Sequence, residues 1–129
     1  MSKITDKIIQ IEKELAAAFN LKDITNMLIF IDKDFVGFSS TTHRRIRGID
    51  AFKKTIEYYL DETTNVKYNT YEIEVQELEG VFITTFYWSV ELDHNRHTHE
   101  IHGRGTHVFK QDSANLQIVH EHYSRAHYR

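Results

Sequence analysis

Gly103-Arg104-Gly105-Thr106-His107-Val108-Phe109-Lys110, then Leu116-Gln117-Ile118-Val119-His120-Glu121-His122-Tyr123-Ser124, is the stretch whose reading decides the fold. Both arms are rich in β-branched and aromatic residues, and Gln111-Asp112-Ser113-Ala114-Asn115 between them supplies turn chemistry. The segment therefore predicts a long β-hairpin. Its second arm also concentrates polar side chains on an otherwise apolar pattern, which makes the hairpin a wall of any pocket the chain encloses.

Working outward, three long alternating segments lead into that final arm. Residues 66–78 alternate, with Tyr71, Ile73 and Val75 expected on one face and Tyr68, Thr70, Glu72 and Glu74 on the other. Glu79-Gly80 reads as a tight turn, residues 81–93 as a second strand, His94-Asn95-Arg96 as the next turn, and residues 97–109 as the third strand. The first half of the chain has the other period. Ile4, Ile8, Ile11, Leu15 and Phe19 form one apolar helical stripe that ends near Asn20, and no polar residue is expected on it. A shorter helix follows with Ile24, Leu28 and Ile31 inward and Asp23 at its start. Asp32-Lys33-Asp34 reads as a break, Phe35-Val36-Gly37-Phe38-Ser39 as a short strand, and His43-Arg44-Arg45-Ile46-Arg47 as a second one. After Gly48, Asp50 is a plausible cap for a third helix with Phe52, Ile56 and Leu60 inward. Helices first and strands afterwards predict an α+β class, with the three helices of the N-terminal half covered by a curved antiparallel sheet.

Composition narrows the function. The 129 residues fit a single domain, 1–129, with one core. A formal charge of −3 with no dense Lys/Arg run argues against nucleic acid as a partner. The absence of cysteine removes disulfide and thiolate chemistry. Residues 1–6 lack an apolar signal core and no run reaches membrane length, so the expectation is a cytoplasmic protein without a membrane partner.

The two N-terminal helices, the Gly48-Ile49-Asp50-Ala51-Phe52 start of the third, and the ending Gly103-Arg104-Gly105-Thr106-His107 with His120-Glu121-His122-Tyr123-Ser124 resemble the NTF2-like superfamily, and within it the SnoaL-like group with its His-x-His-x-Ser ending. The resemblance implies a cone, a strongly curved sheet wrapped over the helices with a pocket at one end, and a homodimer formed through the outer face of the sheet. The fold hosts isomerases, dehydratases, cyclases, hydrolases and binding modules, so it does not select an activity. The last two strands also resemble the association domain of calcium/calmodulin-dependent kinase II. Its cavity arginines are matched here by His107, Tyr123 and Tyr87, a departure that weakens any carry-over of anionic-ligand binding and supports a polar lining of these three residues. In ketosteroid isomerases of this fold an aspartate on the first short strand is the base, helped by a tyrosine of the first helix. Ser39 and Phe19 or a neighbour stand there, with Asp34 available only under a shifted alignment. Scytalone-dehydratase-like members use histidines and tyrosines around a water, residue types that His107, Tyr87 and Tyr123 supply.

Alternation converts the lining into a set. Glu121 and Val119 should share the face of Tyr123, Ser89 and Glu91 that of Tyr87, and Ile101, Gly103 and Gly105 that of His107. The two glycines either leave room for a ligand or mark a bend in the sheet. The ligand-binding candidates are Tyr87, Ser89, His107, Glu121 and Tyr123, and the catalytic candidates are Glu121 and His107, since an imidazole and a carboxylate in a desolvated pocket tune each other for proton transfer. Trp88, His120, His122 and Arg104 should face outward. His97, His99, His102, His120 and His122 come from neighbouring strands and raise a metal site as a minor alternative to adventitious binding, but no metal ligands are assigned. The expected activity is cofactor-independent isomerisation, dehydration or cyclisation of a small organic ligand; the competing expectation is a non-catalytic binding or oligomerisation module.

Overall fold

The computed structural model describes residues 3–113 and 115–126, in the order α1 (Lys3–Asn20), α2 (Ile24–Leu28), β1 (Ile31–Phe38), β2 (Ile46–Arg47), α3 (Gly48–Glu62), β3 (Thr64–Leu78), β4 (Val81–His94), β5 (His97–Asp112) and β6 (Asn115–Arg125). Ile8, Ile11, Leu15 and Ala18 carry the buried stripe of α1. Glu12 is buried in the same stripe, against the expectation of a wholly apolar one. Asp23 caps α2 by accepting from the backbone N–H of Asn26 at 3.2 Å. That helix stops at Leu28, so Ile31 opens β1 instead of closing a helix. Asp32-Lys33-Asp34 also belongs to β1, where the pairing with β6 slips between Ile31 and Val36. Arg47 occupies the cap position of α3, and Asp50 sits in its first turn, where a carboxylate suits the positive end of the helix.

The strands form one curved, open sheet in the order β2-β1-β6-β5-β4-β3. β3 to β6 run as an antiparallel meander, and β1 extends it by lying parallel to β6. Two bulges decide which side chains face the helices. Glu72, at φ 52°, lies where the β3–β4 register shifts between Tyr71 and Glu74. The extra residue reverses the alternation, so Tyr68 and Thr70 share the inner face with the half-buried Ile73 and Val75, while Tyr71 is exposed on the outer one. In β6 the register moves from Val108↔His120 to Phe109↔Ile118, which leaves Val119 bulged. The buried series there is Leu116, Ile118 and Glu121, not Val119.

The core lies between α1, α3 and the sheet, around Ile8, Phe35, Phe52, Phe109 and Ile118. A second cluster, Phe86, Trp88, Val90 and Leu92, continues it along β4. Trp88, expected outside, is therefore on the inner face. The glycines of β5 explain its seat. Gly105 pairs with Phe86 and Gly103 with Trp88. A Cβ on Gly105 would meet the Phe86 ring at 2.5 Å, and one on Gly103 would collide with the Trp88 ring and the Ser124 carbonyl. The space opened by the glycines is thus filled by rings of the neighbouring strand. Gly103→Ala is expected to cost about 1–3 kcal/mol by overpacking, read as a lower urea midpoint at unchanged slope; a variant as stable as the parent would show that the Trp88 ring is not pinned there.

Candidate functional site

A row of side chains crosses the sheet where its strands pass under α1. Thr84 of β4 pairs with His107 of β5, His107 with Glu121 of β6, and Glu121 with Gly37 of β1. Gly37 is required there, because a Cβ would lie 2.6 Å from the Glu121 carbonyl oxygen. Into this row α1 lowers Glu12. The His107 Nδ1–H donates to the Glu12 carboxylate at 2.8 Å, and the Nε2–H donates to Glu121 Oε1 at 2.9 Å. Thr84 Oγ1–H donates to Glu12 Oε2 at 2.6 Å. An imidazole can donate from both nitrogens only when it is protonated, and ionised carboxylates only accept. The geometry is that of an imidazolium held between two carboxylates. Burial pushes the His107 pKa down, but Glu12 and then Glu121 outweigh it and raise it to about 10.

Beside this trio lies an aromatic wall. The Tyr68 and Tyr123 hydroxyls are 3.0 Å apart, so one donates to the other. Burial, ahead of any neighbouring charge, raises both phenols above the usual tyrosine range and keeps them neutral. The Tyr123 ring stands 5.7 Å from His107 and 6.0 Å from Trp88. The indole Nε1–H of Trp88 is buried and has no hydrogen-bond partner among the described residues. Glu12, His107, Glu121, Tyr123, Tyr68 and Trp88 all line one cavity of about 810 Å³. Its walls include Leu15, Phe19, Val90, Leu92 and Ile101, and exposed Arg125 and His99 also border it.

Of the residues singled out in the sequence, His107, Glu121 and Tyr123 come together in this cavity, and Ser39 also borders it. Tyr87 and Ser89 do not. On β4 the inner positions are Phe86, Trp88 and Val90, so Tyr87 and Ser89 project from the outer face, where Tyr87 is 46% exposed. The tyrosine that joins Tyr123 is Tyr68. The histidines also separate: by parity His97 and His99 share the face of His107, whereas His102 lies on the other. His120 donates from Nδ1 to the Val36 carbonyl at 2.8 Å, and exposed His122 packs on Phe38 with ring centres 5.4 Å apart. Among the described residues no group of three or more His, Asp or Glu is arranged to hold a metal ion. Asp34 is exposed on β1. Sequence reasoning missed Glu12, yet its spacing carried a signal: it stands four residues after Ile8 and three before Leu15, within the buried stripe.

The trio has a pH signature. An ordinary histidine titrates near 6.5 when unfolded. A pKa raised to about 10 in the folded state means that stability from this group is complete below about pH 6.5 and fades as pH climbs through about 10. The expected result is a fall in unfolding midpoint across that window, absent in His107→Gln, together with a His107 ring proton that titrates near the top of it by NMR. A His107 midpoint near 6.5 would refute the arrangement.

No helix among the described residues is long and apolar enough to cross a membrane. No curated protein matches the chain in sequence. Among solved structures it is similar to the CaMKII hub of S. rosetta, with 18% identity, a TM-score of 0.85, and 98% and 99% of the two chains covered. It is also similar to an NTF2-like superfamily protein of Salmonella enterica serovar Typhimurium, with 15% identity, a TM-score of 0.85, and 97% and 92% covered. An uncharacterised protein with a cystatin-like fold from Caulobacter vibrioides shares 16% identity at a TM-score of 0.84, with 95% and 89% covered. These likenesses establish the NTF2-like cone, and the SnoaL-like domain family model matches residues 8–128. The chain belongs to the SnoaL-like family of the NTF2-like fold.

Proposed function

We propose that the chain binds a small organic molecule in the cavity between helices and sheet, and that Glu121 is the group that takes a proton from it. One observation carries this reading. Glu121 lines the cavity and its Oε1 is fixed by His107, whereas its Oε2 has no hydrogen-bond partner among the described residues. A carboxylate held at one oxygen and open at the other has the geometry of a general base. His107 carries a proton on each nitrogen and so orients Glu121 instead of competing for the ligand's proton. Glu12 and Thr84 hold His107 in turn. The free O–H of the Tyr68–Tyr123 pair supplies a donor for a carbonyl or hydroxyl oxygen on the ligand. A base and a donor facing one apolar space suit isomerisation, dehydration or cyclisation by proton transfer, which needs no cofactor. Native mass spectrometry of untagged protein is expected to find a retained small organic mass. Ile101→Trp, which fills the cavity, should lose it. With a turned-over substrate, Glu121→Gln should lower kcat by about 100-fold or more. Protein that retains no mass and whose Trp88 fluorescence ignores phenylbutanol would sink the cavity reading.

A second reading, assembly through the outer sheet face, is favoured by a separate observation. Tyr71 and Tyr87 stack there with ring centres 5.8 Å apart and 24° between planes, while remaining 38% and 46% exposed. Arg104 and His102 border the hollow beside them, of about 330 Å³. Aromatic and arginine side chains in a shallow surface are favoured interface residues. Light scattering at micromolar concentration should give a dimer mass for the parent and a shift toward monomer for Tyr87→Arg; a monomeric parent would remove this face from consideration.

A further inference from the structure

The buried trio holds two carboxyl groups against a single imidazole. Two carboxylates, Glu12 and Glu121, share one imidazolium, and the three side chains are 2%, 11% and 3% exposed. With both carboxylates ionised the site holds one negative charge in excess, away from bulk water. Among the described residues neither carboxylate forms an ion pair with Lys or Arg. Lys54 and Arg125 border the same cavity but are exposed to solvent, which screens them. A buried charge is ordinarily paired. The excess charge sits beside Tyr123, Tyr68 and Trp88, and all of these line the cavity. Aromatic faces attract cations through the ring quadrupole, tryptophan most strongly, and the effect grows as water is excluded.

We infer that the deep end of the cavity recognises a cation, so that the ligand presents a protonated amine to Glu121 and lays an apolar body along Trp88, Tyr68 and Tyr123. This names the ligand class of the cavity proposed above and rests on the cavity part of that reading alone: an ammonium seated on Glu121 Oε2 occupies the oxygen that proton transfer would use, and so takes the place of that step. Glu121 Oε2 is an acceptor with no partner among the described residues, and an ammonium N–H is at once a donor to it and the missing counter-charge. A carboxylate or phosphate ligand would bring a further acidic group to a site where two carboxyl groups already outnumber one imidazole. The walls further out, Val90, Leu92, Ile101 and Phe19, are apolar and suit a hydrocarbon or aryl body.

Trp88 is the only tryptophan of the chain, so its fluorescence reports occupancy without a label. The experiment is a titration near neutral pH with phenylbutylamine, its N-acetyl derivative, phenylbutanol and phenylbutyrate, which share one body and differ in charge. The expected order is the amine tightest, the two neutral compounds about ten-fold weaker, and the acid weakest. In Glu121→Gln, shown to be folded by circular dichroism, the amine-to-alcohol ratio should fall to about one. The comparison of the amine with its N-acetyl derivative on the unaltered protein reads the same charge with no dependence on a variant's folding. An acid or N-acetyl compound that binds as tightly as the amine would overturn the inference while leaving the cavity reading intact. A preference for the amine that survives in folded Glu121→Gln would overturn it as well. No response of Trp88 to any of the four would overturn both.

Discussion

The imidazolium of His107, gripped by Glu12 on one nitrogen and Glu121 on the other, is the interaction on which the rest of this structure depends. It ties α1 to the middle of the sheet through a charge that neither water nor an apolar neighbour could hold there. Each bond is charge-assisted and of the kind that contributes about 1.5–3 kcal/mol. Removing one partner leaves an unpaired buried charge, which ordinarily costs about 3–5 kcal/mol. A well-packed apolar trio of the same volume would stabilise the fold at least as well.

Holding that trio in place demands an exact course of the backbone around it. His107 and Glu121 face each other because β5 and β6 pair in register up to the Val119 bulge, and beyond the bulge the inner series passes to Ile118 and Leu116. Gly37 lets β1 approach Glu121. Gly103 and Gly105 let the Trp88 and Phe86 rings lie flat against β5, so the aromatic wall of the cavity is built across strands. The cavity lies between α1, α3 and the inner face of the sheet, with Trp88, Tyr68 and Tyr123 in its wall.

The order of elements was legible because the helical and strand periods separate cleanly along the chain. Ile8, Ile11 and Leu15 are buried as the stripe predicts, and the alternation holds over residues 81–92 and 103–109. His107 and Tyr123 were placed together by the resemblance of the last two strands to the kinase II association domain, and Glu121 followed from Tyr123 by parity over a single step, where it is reliable. The same rule failed for Tyr71 and Val119, each next to a bulge that adds one residue and so reverses every face beyond it. It also could not set the absolute face of β4: alternation says that Tyr87 and Trp88 point opposite ways, but not which of them points inward.

From the sequence alone follow the α+β class, the long hairpin, the helix that carries Glu12, and the exclusion of thiol chemistry, because period and composition are local properties of the chain. Only the tertiary structure decided that Glu12 meets a histidine 95 positions away, that Trp88 and Tyr68 line the cavity in place of Tyr87, and that one imidazolium serves two carboxylates. Those facts depend on how far strands twist and slip and on where a helix comes to rest across them. Such long-range distances leave no periodic mark on the residues that make them.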